Sequence, residues 1–148
     1  MEDLSTQQKG IVTEMQVATY LLSLGYNVSQ PFSQDSKYDL IVDANNKLLR
    51  LQVKTSRLAS PTSITFNCRS TTTNVKNCKS RRYSDTEIDY FATYWNNECY
   101  LIPIQECSVE KTLRFTPPKN GQIKGITFAK DYLLNVQLAK IKEEVAKN

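Results

Sequence analysis

The chain has 148 residues, 40% hydrophobic and 23% charged, with a formal net charge of +4; this fits one globular domain, residues 1–148, with a modest core. It has no apolar run of the ~20 residues that a membrane span needs, and Met1-Glu2-Asp3-Leu4-Ser5 lacks the basic-then-apolar order of a secretory signal, so an intracellular protein is expected, cytoplasmic (nucleoid-associated) or organellar. Histidine is absent, which excludes the Ser-His-Asp triad, the Cys-His pair and the H-E-x-x-H zinc site.

Thr6 to Leu24 is predicted as the first helix, capped by Ser5 or Thr6 and ended by Gly25. Ile11, Met15, Ala18 and Leu22 recur as one stripe, expected to face the core. A short strand follows at Tyr26-Asn27-Val28-Ser29, closed by Pro31, and a stronger one at Tyr38 to Asp43. Asn45-Asn46 suits a tight hairpin. Lys47 to Thr55 alternates, with Leu49, Leu51 and Val53 on one face and Arg50, Gln52 and Lys54 on the other. Thr62 to Asn67 is a further strand, and Arg69 to Arg82 is a polar loop or extended ribbon.

Ser84 and Glu87 have capping-box spacing, for a helix or turn start. Ile88 to Trp95 and Glu98 to Ile104 read as strands around a second hairpin pair, Asn96-Asn97. Val109 to Phe115 is strand-like, and Pro117-Pro118-Lys119-Asn120-Gly121 is a turn. Asp131 to Lys147 is predicted helical, with Leu134, Leu138, Ile141 and Val145 on one face. The order implies an α/β or α+β domain: one mixed sheet with the leading helix packed on it. Cys68, Cys78, Cys99 and Cys107 contain no C-x-x-C pair, which speaks for reduced thiols rather than a zinc knuckle.

Charge is unevenly spread. From Ala44 to Ser84 there is no Asp or Glu, while Lys47, Arg50, Lys54, Arg57, Arg69, Lys76, Lys79, Arg81 and Arg82 all fall there. Such a one-signed stretch suggests a polyanionic partner, most simply nucleic acid. The alternative is a basic face offset by acids folded beside it.

Gln52 and Lys54, two apart on a strand, project side by side. If Asn45-Asn46 pairs the two strands, Asp39 lies near the end where they emerge. Glu14 sits at the margin of the stripe that includes Ile11, Ala18 and Leu21; a carboxylate partly desolvated there needs a cation. Asp39, Glu14 and the amide oxygen of Gln52 are the ligand types that a hard divalent ion prefers. With a phosphate and waters they would hold a metal that stabilises charge on phosphorus and acidifies a bound water. Lys54 would orient or help deprotonate the attacking water and add positive charge at the phosphate. Singly, each residue is more often a turn former or a solvated side chain; their order, beside the acid-free stretch, favours the functional reading.

This order of Glu14, Asp39 and Gln52-Val53-Lys54 resembles the PD-(D/E)XK nuclease superfamily, and within it the small group I intron-encoded homing endonucleases. The resemblance rests on Lys9-Gly10 with Glu14, on Tyr38-Asp39-Leu40-Ile41-Val42 and on Leu51-Gln52-Val53-Lys54-Thr55-Ser56-Arg57. Tyr83, Ile88-Asp89-Tyr90-Phe91-Ala92 and Tyr100-Leu101-Ile102-Pro103 extend it. It implies an αβββαβ core and hydrolysis of double-stranded DNA with Mg²⁺, for which Mn²⁺ would substitute. Asp39 matches the metal-binding Asp, Lys54 the catalytic Lys and Glu14 the acid of the first helix. Gln52 stands where Asp or Glu is usual, which weakens the field at the metal and moves weight onto Glu14; Tyr38 replaces the usual Pro.

The resemblance also implies a homo-oligomer, a dimer or tetramer on a pseudo-palindromic site. DNA contacts are expected from the basic segment at about 57–82, through Arg57, Arg69, Lys76, Lys79, Arg81 and Arg82, with the hydroxyls of Ser70 to Thr73. A weaker set is Lys111, Arg114, Lys119 and Lys124. The C-terminal helix is expected mainly in the core, with a possible part in assembly. A junction-resolving nuclease, an inactive DNA-binding protein of the same fold and a basic RNA-binding domain are the alternatives.

Overall fold

The computed structural model describes residues 2–73 and 78–147, with the backbone alone at 71–73, 78 and 79. Helix α1 (Thr6–Ser23) starts at Ser5 with a complete capping box: the Ser5 hydroxyl accepts the Gln8 N–H at 3.2 Å and the Gln8 side chain accepts the Ser5 N–H at 2.9 Å. Gly25, at φ +89°, provides the left-handed stop.

The inward face of α1 is not the expected one. Thr13, Val17 and Leu21 are buried, whereas Ile11, Met15 and Leu22 are 54%, 65% and 56% exposed; of the expected stripe only Ala18, half-buried, packs against the core. At about 100° per residue, α1 carries two apolar stripes roughly 130° apart, and periodicity alone does not choose between them. The choice is made by contacts remote in sequence. Thr13 hydrogen-bonds Thr55 at 3.0 Å, and Val17 and Leu21 join the core beneath the helix. Glu14 lies between the two stripes, so its marginal position holds on either assignment.

The strands follow as β1 (Asn27–Ser29), β2 (Leu40–Ala44), β3 (Lys47–Val53), β4 (Arg57–Ser60), β5 (Ser63–Asn67), β6 (Arg69–Thr73), β7 (Cys78–Arg82), β8 (Tyr90–Trp95), β9 (Glu98–Pro103) and β10 (Glu110–Arg114). Helix α2 (Leu134–Lys147) ends the chain order, after a 3₁₀ turn at Ala129–Tyr132; it starts three residues later than predicted. The main sheet has the order β1-β2-β3-β8-β9 and is antiparallel except for the parallel pair β3/β8. Asn45-Asn46 (φ 54° and 68°) and Asn96-Asn97 (φ 49° and 66°) close its two hairpins in the left-handed region.

One face of this sheet lies under the helices. Leu40, Val42, Leu49, Leu51 and Val53 pack there with Val17 and Leu21 of α1 and Leu134, Leu138 and Ile141 of α2. Val145, assigned to the same α2 face, is 44% exposed because it lies beyond the sheet-covering turns. On the other face Phe91, Tyr100 and Ile102 pack against Ile64, Phe66 and Leu113 of a second sheet, β10-β5-β4. β6 and β7 pair into a separate ribbon.

The class is therefore the expected mixed α+β one. The crossover from β3 to β8 is built from strands β4 to β7, where the αβββαβ scheme has a helix. Ser84–Glu87 forms a single turn, in which Glu87 accepts the Ser84 N–H at 3.0 Å. Arg50 ties that region to β3 through Asp89 (3.0 Å) and the carbonyls of Asp85 and Thr86. Cys68, Cys99 and Cys107 are buried free thiols. Among the described residues no helix is long and apolar enough to cross a membrane.

Candidate active site

The β2–β3 register pairs Leu40 with Leu51 and Ile41 with Arg50, so Asp39 falls opposite Gln52 at the end of the ladder. The Asp39 N–H donates to the Leu51 carbonyl at 2.8 Å, and its carboxylate accepts the Val53 N–H at 2.9 Å. That second bond fixes the carboxylate against the strand that carries Gln52 and leaves lone pairs on both oxygens.

β3 alternates as the sequence predicts. Leu49, Leu51 and Val53 point to the helices, and Gln52 points the other way, level with Phe91 of β8. Lys54 continues the Gln52 side just past the strand, with its N–H on the Ala92 carbonyl at 2.9 Å. Its ammonium donates to the Arg69 carbonyl at 2.9 Å and stands 5.2 Å from the centre of the Tyr83 ring.

Glu14 comes to the same end of the sheet from α1. Thr13, beside it, is hydrogen-bonded to Thr55, beside Lys54, which sets the helix over the strand end. Glu14 and Asp39 line one cavity of about 440 Å³, with Gln30, Tyr38 and the Pro31–Phe32 segment. Gln52 neighbours Asp39 through the register but is not part of that cavity wall; its amide nitrogen reaches the Val53 carbonyl only at 3.5 Å.

The electrostatics agree with the geometry. Burial pushes the Asp39 carboxyl above the usual range, opposed by the Val53 N–H and the charge of Lys54. Burial also raises Glu14, and the charge of Asp39 raises it further, against a hydrogen bond from Gln30. Lys54 is pushed down by burial, with Asp39 and Cys68 pulling it back up. Burial disfavours the charged form of both acids, and Asp39 disfavours that of Glu14 further; a cation between them would relieve that cost.

Glu14, Asp39 and the Gln52 amide are hard oxygen donors. Among the described residues no group of three or more His, Cys, Asp or Glu side chains gathers in metal-binding range, so these two carboxylates would leave most of an ion's shell to waters and substrate. That donor set fits Mg²⁺, which is commonly held by one or two carboxylates plus phosphate.

The basic residues fare differently. Arg57 is paired with Glu110 at 2.7 Å, and Arg81 holds Glu87 in a two-pronged pair at 2.9 and 2.8 Å. With Arg50–Asp89, acids from outside the basic stretch thus fold back on three of its arginines. Arg82 is exposed and donates to the Cys107 carbonyl at 3.3 Å. Arg69 is half-buried, and its Nε is buried with no hydrogen-bond partner. Lys119 is exposed in its turn. Lys79 lies on β7, its side chain outside the described set, and Lys76 lies outside the described residues altogether.

Two neighbours of the site were given no role by sequence reasoning. Gln30 carries no pattern that would single it out. Tyr83 entered only as part of the resemblance, because its place over Lys54 depends on a ribbon closing between them.

A family model described as PD-(D/E)XK endonuclease matches residues 4–135. No curated protein matches the chain. Among solved structures, the bacterial homing endonuclease I-Ssp6803I is similar, with a TM-score of 0.77 at 24% identity over 98% of this chain and 99% of the other.

Proposed function

The chain belongs to the PD-(D/E)XK endonuclease family, and we propose that within it this protein is a site-specific endonuclease of the homing type, hydrolysing phosphodiester bonds of double-stranded DNA with Mg²⁺. The observation that carries this reading is the shared cavity of Glu14 and Asp39, with the Lys54 charge acting on Asp39. The likeness in fold to a bacterial homing endonuclease supports the substrate class.

Asp39 and Glu14 would hold the ion, with the Gln52 amide oxygen as a neutral third donor. When bound, Mg²⁺ supplies charge that stabilises the phosphoryl transition state and acidifies a water. Asp39 is held for this by the Val53 N–H. Lys54, desolvated and beside Asp39, adds positive charge where the phosphate loads and orients the attacking water.

The DNA surface is proposed to include Arg69, Lys76, Lys79, Arg81 and Arg82 of the ribbon and its flanks, with Arg57 and Lys119 at its margins. Phosphate contacts dominate such surfaces. Arg57 and Arg81 would exchange their carboxylate partners for phosphates on binding.

One active centre per chain and two strands to cut call for symmetry. We assign self-association to the outer stripe of α1. Ile11, Met15 and Leu22 are exposed, with Ala18 half-buried against the core between them, and the four are spaced four, three and four residues apart, the seam spacing of paired helices. Lys9 and Glu14 are the only charged residues of α1, so a twofold axis through the stripe sets few like charges against each other. α2, by contrast, spends Leu134, Leu138 and Ile141 on the core.

Incubation with a library of long duplexes and Mg²⁺ tests the proposal. Wild type should cut a defined sequence, Asp39→Asn should cut none, and Lys54→Ala should bind that sequence but cut poorly. Gln52, neutral where the family has an acid, gives one specific ground for an inactive DNA-binding protein; wild type as inert as Asp39→Asn on every duplex would establish that instead.

A further inference from the structure

Lys54 is gripped by the two ends of the ribbon. Its ammonium donates to the carbonyl of Arg69, the first residue of β6, at 2.9 Å. Its other neighbour is the ring of Tyr83, which directly follows the last residue of β7, with the ammonium 5.2 Å from the ring centre. Arg69 pairs with Arg82 across the ribbon, so both holders belong to one stem.

Tyr83 is itself held by its neighbours. Phe91 meets it edge-on at 5.5 Å and 84°. The Arg81 guanidinium lies 6.0 Å from the ring centre and is clamped by Glu87. The position of the ring thus follows the ribbon stem.

The chemistry of these holders is selective. A half-buried ammonium needs partners. A carboxylate would supply them but would add negative charge beside Glu14 and Asp39 and compete for the ion. A carbonyl and an aromatic face hold the cation with no net charge.

We propose that Tyr83, with the Arg69 carbonyl, is the positioning element for Lys54, and that it couples the seating of the ribbon on DNA to the placement of the ammonium at the scissile phosphate. A ribbon displaced by DNA moves both holders together and carries Lys54 with them. This rests on the catalytic role proposed above for Lys54, since a bystander lysine would have no cleavage step to support.

The test compares wild type, Tyr83→Phe, Tyr83→Leu, Tyr83→Met and Lys54→Ala on the sequence selected from the duplex library. Tyr83→Leu and Tyr83→Met should each lower kcat about tenfold, the worth of one half-buried cation–π pair, with KM changed less than twofold. Tyr83→Phe, which keeps the ring, should restore kcat. At fixed pH, the Lys54 ε-CH₂ protons should show an upfield ring-current shift in wild type and Tyr83→Phe that is absent from the other two. Using both Leu and Met guards against one variant failing to fold.

Wild-type kcat in folded Tyr83→Leu or Tyr83→Met overturns the inference, as does an unchanged ε-CH₂ shift. A rise in KM with kcat unchanged would make Tyr83 a DNA-binding residue and also overturns it. Lys54→Ala cutting like wild type strikes instead at the catalytic reading on which the inference rests.

Discussion

Thr13 and Thr55 share a hydrogen bond of 3.0 Å across forty-two residues of sequence. Each adjoins a site residue: Thr13 precedes Glu14, and Thr55 follows Lys54. The Thr13 hydroxyl already donates to the Lys9 carbonyl at 2.8 Å, so Thr55 is the donor between the two.

Thr13 is 1% exposed, so Thr13→Val keeps the shape of the clamp and removes its acceptor. The loss should be about 2 kcal/mol, since the bond from Thr55 and the bond to the Lys9 carbonyl both go, read as a lower guanidinium midpoint. Cleavage should fall further than DNA binding, because the change frees the Glu14 end of α1 and leaves the ribbon untouched. An unshifted midpoint with wild-type cleavage would show that this bond holds nothing in place.

This hydrogen bond marks the limit of what was legible in the sequence. Asn45-Asn46 and Asn96-Asn97 were readable because few residues tolerate positive φ, and the alternation of β3 because a strand buried on one face enforces a period of two. The placing of Asp39 opposite Gln52 at one strand end, with Lys54 just beyond, followed from those features. The inward face of α1 did not, since two stripes fit the same period and a threonine pair decides between them. Glu14 kept its marginal place because it lies between the stripes. β4, at Arg57–Ser60, was unreadable as a strand: it is short and mostly exposed. The pairing of Arg57 and Arg81 with distant acids is likewise tertiary information that no local window contains.

Asp39→Asn should separate stability from activity. The amide oxygen can still accept the Val53 N–H, while the charge that burial disfavours and that repels Glu14 is removed. At neutral pH without divalent ions the variant should melt at or above wild type and should not cleave DNA. Added Mg²⁺ should raise the wild-type Tm, as a ligand of the folded state does, and leave the variant unmoved. A clearly lower Tm for the variant in chelator would mean that the carboxylate is mainly structural.

Met15 is 65% exposed, so Met15→Glu in an isolated chain should change stability by only about 0.5 kcal/mol or less. If α1 pairs with α1 of a second copy, the added carboxylate enters the seam twice. Sedimentation should then report a smaller species than wild type at equal concentration, and plasmid products should shift from linear toward nicked. Identical sedimentation of the two proteins would remove the outer stripe from the assembly.

The Arg81–Glu87 pair predicts both a pH dependence and a salt dependence. Arg81 holds the Glu87 carboxyl at about 2, below its ordinary value of 4.5. A depressed acid contributes stability that is fully present above its unfolded value and is lost as pH falls through the folded one. The stability gap between wild type and Glu87→Gln should therefore be constant at neutral pH and close between pH 4.5 and about 2. On DNA the same substitution removes the carboxylate that Arg81 must leave, so Glu87→Gln should bind more tightly, with the salt slope of wild type. Arg81→Ala should bind more weakly, with a slope shallower by ~0.9 for the one phosphate it no longer neutralises. Equal slopes in wild type and both variants would mean that Arg81 stays with Glu87 in the complex and serves only to brace the ribbon stem.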